Sequence, residues 1–541
     1  MNRIILFLFS LVIISCKNPT ESKPVLNLAI DTTTVKDFRE FIVLDSKYIN
    51  KADLWEPFND NLEDFTENVY NNLKPLVLEQ NIPTLQNHIA NGDLSYEKLV
   101  KFYLYRIRKF DRENELSLNS VISINPTVID EARKLDDMDV DKLHSIFGMP
   151  ILLKDNINTS VLPTTAGAVA LQNNNTDDAF ITKRLKEQGA IILGKANLSE
   201  WAYFFCGDCP SGYSAIGGQT LNPYGRRIID TGGSSSGSGV AVAANFCVGA
   251  VGSETSGSIL SPSSKNSIVG LKPTIGLLSR SGIVPISSTL DTPGPMTKNV
   301  TDNAILLDAM SGFDENDSKS INSKFGNGFY YNNTNENSLK GMRFGAFKRL
   351  LEDSLYVQAI SNLKSKGAEI IEIDEENIKL QSFRRLLNLD MKADLLFYLS
   401  NYASASITLK SVQDVIEFNK KDSINVMPYG QSLFEGVVAD KASDEEFQTI
   451  KDSLKINGRN YFDIPMEKHQ LDGILSINNY HAGFAAVAEY PALTVPMGYT
   501  VDGTPEGLTF ISKPLSEKKL LHWAYAYEQA SKKRKAPSNY N

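Results

Sequence analysis

Short apolar runs alternate with amphipathic stretches along the middle of the chain. The runs at 150–153 and 190–194 predict buried strands, and the periodic stretch at 179–188 predicts a helix between them. Further apolar runs at 473–476 and 492–496 predict that the same core resumes near the C-terminus. Alternation of buried strands and helices is typical of the α/β class, so we expect a layered α/β fold.

Helical periodicity is clearest outside these runs. Ser95 is a predicted N-cap, and the apolar spacing behind it predicts an amphipathic helix over 95–110. The apolar spacing at 517–531 predicts a closing helix. Residues 310–470 are more polar and more helical in pattern, with a short strand expected at 342–346. We interpret 310–470 as a peripheral helical region that supplies walls for substrate specificity.

The pattern divides the chain into four parts. Residues 1–15 resemble a lipoprotein signal peptide, 16–40 a polar tether, and 41–85 an N-terminal helical extension. The main domain is expected over 86–535 and includes the helical region 310–470.

The N-terminus indicates where the protein works. Arg3 precedes an apolar run over 4–14 that is too short to span a bilayer and is typical of a signal-peptide core. Cys16 follows a small residue, as in the bacterial lipobox, where the cysteine is lipidated. A plain signal peptide with an incidental cysteine is the alternative. We expect attachment to a membrane through lipidated Cys16, outside the cytoplasm, in the periplasm or at the cell surface.

Charge and cysteine content narrow the choice of partners. The formal net charge is -9, which argues against a nucleic-acid partner because phosphate binding needs clustered cations. Cys206 and Cys209 have a spacing shared by a disulfide, a redox motif and half a zinc site. A second ligand pair is missing, so zinc is not expected, and the disulfide is left open. Cys247 lies in an apolar stretch, as a buried thiol would.

Candidate chemistry is concentrated in a Gly/Ser-rich segment at 232–239. A flexible linker has this composition, but here the segment continues directly into the apolar run 240–244 and a core-like pattern. A phosphate-binding loop would need a Gly-Lys-Ser/Thr ending, and a nucleophile elbow would need Gly-x-Ser-x-Gly; neither pattern fits. Further along, 283–286 is apolar and is expected to be a strand.

The segment resembles the amidase signature. Ser234 follows two glycines, and Ser258 stands 24 positions later in a Gly-Ser-Ile turn. Upstream, an apolar strand ends at Lys154, as it does in that family. Other motifs follow in matching order over roughly residues 90–300. Glu254 and the Ile-Leu-Ser-Pro after Ser258 are similar to the peptide-amidase branch, which removes C-terminal amide nitrogen from peptides.

The resemblance implies a large mixed central sheet flanked by helices, and a Ser–Ser–Lys mechanism with neither cofactor nor metal. Ser258 would attack the carbonyl, and Ser234 would pass its proton to Lys154 as an uncharged base. The peptide bond before Ser234 is cis in the family. Ser235 would support this network. The oxyanion donors would be the backbone N–H groups of the turn that holds the nucleophile: Thr255, Ser256, Gly257 and Ser258.

The residues agree with that chemistry. The chain has 5 His, and none lies in these motifs, so a Ser-His-Asp triad has no evident base. A lysine can serve as base once burial has removed its charge, and Lys154 ends an apolar strand. The substrate would be a small-molecule or peptide amide, and the oligomeric state is left open. Two alternatives remain: a glutamine-hydrolysing amidotransferase-type subunit, and a non-catalytic binding lipoprotein that retains the fold.

Overall fold

The computed structural model describes residues 41–138, 144–322, 328–333 and 336–541. The predicted signal peptide, the lipidation site Cys16 and the tether lie outside these residues. The described residues belong to one compact unit. None of the helices in the described ranges is long and apolar enough to cross a membrane.

The strands of the described residues are β1 Val121–Ile124, β2 Pro150–Lys154, β3 Ile191–Ala196, β4 Tyr213–Ser214, β5 Gly218–Gln219, β6 Gly249–Glu254, β7 Val269–Lys272, β8 Thr292–Thr297, β9 Arg343–Phe347, β10 Glu369–Ile373, β11 Gly473–Ile477, β12 Ala492–Tyr499 and β13 Pro505–Ile511.

The α-helices of the same residues are α1 Lys51–Trp55, α2 Asn59–Leu62, α3 Glu67–Val77, α4 Ile82–Ala90, α5 Tyr96–Ile107, α6 Val128–Asp136, α7 Phe180–Glu187, α8 Ser236–Ala243, α9 Leu260–Lys265, α10 Val300–Met310, α11 Ser354–Ser365, α12 Phe383–Asn401, α13 Val412–Lys420, α14 Ser423–Val426, α15 Ser432–Ala439, α16 Asp444–His469, α17 Ala482–Ala488 and α18 Glu517–Ser531.

Eleven of the strands described form one mixed sheet in the order β1-β3-β2-β6-β8-β7-β12-β13-β11-β9-β10. The neighbours β3, β2 and β6 are parallel, whereas β6, β8, β7, β12 and β13 pair antiparallel. Helices such as α8, α10 and α18 bury apolar faces against this sheet. The predicted α/β fold with a large mixed sheet flanked by helices is therefore confirmed.

Most elements expected from the apolar pattern are present. The Ser95 side chain caps α5 by accepting from Lys98 N at 3.2 Å, and α18 covers the predicted 517–531. The short strand expected at 342–346 is β9.

The strand predicted at 283–286 is wrong. Ile283 makes only an isolated bridge to Ile157, and Val284 N donates to Asn156 O at 2.8 Å. Pro285 has no N–H with which to extend a ladder. The apolar character of the segment has another cause, because it lines the cavity described below.

Candidate active site

Two parallel strands bring the candidate residues to one edge of the sheet. Lys154 is the last residue of β2, and Ser253 and Glu254 are the last two of β6. Because β2 and β6 pair in parallel, their carboxyl ends meet at the same edge. Ser234 lies just before α8, the helix that leads into β6, and Ser258 lies in the turn between β6 and α9.

Lys154 is completely buried and bonded at its amine. Its Nζ lies 2.8 Å from Ser234 Oγ, 2.9 Å from Ser253 Oγ and 3.1 Å from Ser253 O. A neutral amine has two N–H groups and one lone pair. When the two N–H groups are directed to the oxygens of Ser253, the lone pair is left to accept the proton of Ser234.

Burial lowers the pKa of Lys154 from 10.5 to about 7, because the charged form loses its hydration. The carboxylates of Asp291 and Glu254 act in the opposite direction, but their effect is smaller. About half of the Lys154 amines are therefore uncharged at pH 7, and this uncharged form can act as a general base.

Ser234 and Ser258 are held by their backbones. The Gly233–Ser234 peptide bond is cis, as the resemblance implies, and Ser234 O accepts from Ser199 N at 3.0 Å. Ser258 O accepts from Ser235 N at 3.1 Å, which places the nucleophile turn beside Ser234. Among the described residues, Ser258 Oγ has no hydrogen-bond partner. The hydrogen bond from Ser258 Oγ to Ser234 Oγ, which the proton relay requires, is therefore not formed in this structure.

Ser235 connects the Gly/Ser segment to the end of β6. Its Oγ lies 3.1 Å from Ser253 O and accepts from Ser253 N at 3.2 Å. Together with its N–H bond to Ser258 O, these contacts join the nucleophile turn to β6, and the supporting role of Ser235 in catalysis stays a prediction.

The turn before Ser258 is shaped by Glu254. Its carboxylate accepts the N–H groups of Gly257 at 2.6 Å, Ile259 at 2.7 Å and Leu260 at 2.9 Å. Gly257 has a φ of +86°, which favours glycine.

Gly257 N–H is therefore already used, so in this structure it is not free to stabilise an oxyanion. The N–H groups of Thr255, Ser256 and Ser258 have no acceptor among the described residues. Of the four N–H groups predicted to bind the oxyanion, these three are therefore the remaining candidates.

Ser253 contacts Lys154 twice, yet no motif in the sequence singles it out. Asn156 orients it by donating to Ser253 Oγ at 2.9 Å. A contact of this kind depends on the register between β2 and β6 rather than on a local pattern.

A cavity of about 370 Å³ opens beside these residues. Asn156, Ser253 and Thr255 form its inner wall, and 283–286 and the end of α12 form other walls. This volume is within the range of small-ligand sites. No three His, Cys, Asp or Glu side chains are grouped as metal ligands in the described ranges, and we assign no metal site there.

The structure also contains an array of a serine, a histidine and a glutamate that was not predicted from the sequence. Ser476 Oγ lies 2.6 Å from His481 Nδ1, and His481 Nε2 lies 3.4 Å from Glu375 Oε1. Ser476 is fully buried within β11, whereas Ser258 keeps some exposure, so no substrate carbonyl can reach Ser476. Burial lowers the pKa of His481 to about 4. We interpret this array as core packing.

The structure joins Cys206 and Cys209 in a disulfide, the pairing that the spacing left open. Cys247 is buried and unpaired, as predicted.

Comparison with known proteins shows which family this chain resembles. The Amidase family model matches residues 98–431. A probable amidase of Arabidopsis thaliana is 37% identical over 82% of this chain and 88% of its own length. A glutamyl-tRNA(Gln) amidotransferase component of Microcystis aeruginosa is 30% identical over 83% of this chain and 97% of its own.

Solved structures are similar as well. An amidase family protein from Bacillus anthracis has a TM-score of 0.87 and 37% identity, covering 93% of this chain and 99% of that one. The peptide amidase of Stenotrophomonas maltophilia has a TM-score of 0.81 and 37% identity, covering 85% and 98%.

The fold and these similarities define an enzyme that hydrolyses C–N amide bonds. The chain belongs to the amidase family.

Proposed function

We propose that this enzyme is a lipid-anchored, extracytoplasmic serine amidase that works through an acyl-enzyme on Ser258, with a peptide C-terminal amide as a candidate substrate. The observation that carries the mechanism is the 2.8 Å contact between Ser234 and a buried Lys154 whose pKa is lowered to about 7. The similarity to peptide amidase supports the choice of substrate.

In the first half-reaction, Ser258 Oγ attacks the amide carbon. Its proton passes to Ser234, and the proton of Ser234 passes to the Lys154 lone pair. The oxyanion accepts hydrogen bonds from the free N–H groups of the turn. When the C–N bond breaks, Lys154 returns its proton through Ser234 to the leaving nitrogen. Water then attacks the ester by the same relay, releasing the acid and restoring Ser258.

Similarity to an amidotransferase component favours a second candidate, hydrolysis of glutamine for transfer of its nitrogen. The predicted signal peptide argues against that candidate, because tRNA substrates are cytoplasmic. A binding protein without activity would not need to retain Lys154, Ser234 and Ser258, and all three are present.

A panel of amide substrates tests the proposal. The panel contains peptide amides, simple aliphatic amides and glutamine, and compares wild type with Ser258→Ala and Lys154→Ala. We expect both variants to lose kcat/KM by about 10⁴-fold or more, because nucleophile and base act as one unit. Undiminished activity in Ser258→Ala would overturn the mechanism, and turnover of glutamine alone would favour the second candidate.

A further inference from the structure

The cavity wall beside the site carries more negative than positive charge. Its charged side chains are Arg280, Asp291, Asp317 and Asp394. Arg280 is occupied by its partners, since its Nε donates to Asp317 at 2.8 Å and its Nη1 to Ser288 O. Arg280 pairs with Asp317 and also attracts Asp291 and Asp394, but one guanidinium against three carboxyl groups leaves the wall with an excess of acidic groups.

The two remaining carboxyl groups, those of Asp291 and Asp394, differ in how many hydrogen bonds they already accept. Asp291 uses both oxygens within the wall: one accepts from Thr255 Oγ1, and the other from Ile286 N at 2.8 Å and Ser287 N at 2.9 Å. Asp394, on α12, accepts from Ser288 N at 2.6 Å, interacts with the Ser288 side chain as well, and forms no ion pair with any described residue. Asp394 is therefore the carboxyl group with capacity for a ligand.

A bound cation would reduce the electrostatic repulsion between Asp394 and the carboxylates near it. Burial and then the neighbouring carboxylate of Asp390 raise the pKa of Asp394 to about 7, and Asp291 adds to the rise. A cation in contact with Asp394 would reverse this repulsion and restore the charged form.

Aromatic side chains complete the pocket around Asp394. Phe397 and Tyr398 lie three and four positions further along α12, and Tyr402 follows the helix; all three line the cavity. Phe397 is 56% exposed, although it is large and apolar. Aromatic faces beside a carboxylate favour a cationic head on an apolar stem.

We propose that this cavity selects amide substrates that carry an ammonium or guanidinium group, with Asp394 as the residue that determines this specificity. The inference rests on the proposed function, since it concerns the substrate of the same site. It narrows the substrate class from peptide amides in general to those with a basic side chain or a free amine near the scissile amide.

The test uses two peptide amides that differ only in charge, one ending in arginine amide and the other in citrulline amide. Wild type should favour arginine by at least about tenfold in kcat/KM. Asp394→Asn keeps an oxygen that can accept from Ser288 N but removes the charge, so the preference should fall to within about twofold. Asp374→Asn is the matched control, because Asp374 is exposed and outside the cavity, and it should retain the preference.

Binding of the same peptides to Ser258→Ala, measured by calorimetry, separates this inference from the proposed function. Tighter binding of the arginine peptide that disappears in the Asp394→Asn double variant supports the inference, whether or not turnover is observed. Equal binding of both peptides, or a preference that survives Asp394→Asn, overturns it. Absence of turnover for every amide in wild type would instead overturn the proposed function.

Discussion

At the scale of single residues, the chemistry depends on the charge of Lys154. A protonated lysine has no lone pair and cannot accept the proton of Ser234. The fold makes loss of that proton possible near neutral pH by burying the amine completely, and it places both oxygens of Ser253 within reach of the two remaining N–H groups. The same apolar surroundings that build the end of β2 therefore also create the base.

The pH dependence of activity follows from this arrangement. Below its pKa of about 7, Lys154 is protonated and inactive, so kcat/KM should fall about tenfold per pH unit on the acid side and level off above. The measurement is a pH profile with an uncharged amide.

Asp291→Asn removes a negative charge that raises the pKa of Lys154, so the acid limb should move to lower pH. Asp374→Asn, at the surface, should leave the limb in place. A limb that moves upward in Asp291→Asn, or a flat profile through pH 7, would contradict the role of Lys154.

The resemblance to the amidase signature indicated Lys154, Ser234, Ser235 and the turn at Ser258, because the motifs of that signature are local in sequence. Ser253 and Asp394 could not be predicted in this way. Ser253 meets Lys154 through the register of two strands, and Asp394 approaches the cavity through packing of a distant helix with no motif.

At the scale of elements, the apolar pattern predicted five strands of the central sheet, namely β2, β3, β9, β11 and β12, and missed six, among them β8 in its centre. β8 contains Pro293 and Pro295, which normally argue against a central strand. It is tolerated because β7 pairs only with Met296 and Thr297, beyond the prolines. The pattern at 283–286 predicted a strand that is absent. An apolar segment that lines a cavity has the same sequence pattern as a strand buried in a sheet.

The approach of α8 to β3 requires a glycine. A Cβ on Gly237 would lie 2.4 Å from Asn197 O and 2.5 Å from Ser120 O, which are backbone atoms. We expect Gly237→Ala to lower the free energy of unfolding by about 1–3 kcal/mol, as overpacking does, and to reduce activity by displacing Ser234. Urea unfolding measures the first effect.

Gly436→Ala in α15 is the matched control, because the nearest atom to its Cβ would be Asn388 Nδ2 at 3.9 Å. That variant should be about 0.5–1 kcal/mol more stable than wild type, since alanine favours a helix. Equal stability of Gly237→Ala and wild type would contradict the steric account.

At the scale of the whole molecule, the site is assembled from two sources. The sheet edge supplies Ser253, which contacts Lys154, and the helical region supplies Asp394 and Phe397 to the same cavity. The sequence indicated that residues 310–470 would form specificity walls, and their place in the cavity agrees with this. Which residues do so could not be predicted, because the amphipathic pattern of a helix does not identify its neighbours.

The location of the molecule rests on the N-terminal pattern around Cys16. When the full chain is expressed in a bacterium, we expect it to enter the detergent phase of a Triton X-114 separation, because lipidation adds acyl chains. The Cys16→Ser variant should be found in the aqueous phase instead. Recovery of the wild-type chain from the cytosol would contradict the proposed anchoring and revive the amidotransferase candidate.

The most direct test of the central claim is covalent labelling with a serine-reactive phosphonate, located by peptide mass spectrometry. We predict one adduct, on Ser258, that forms as amidase activity is lost, is absent in Ser258→Ala and forms far more slowly in Lys154→Ala. Inactivation with the adduct on any other residue, such as Ser476, would contradict the account.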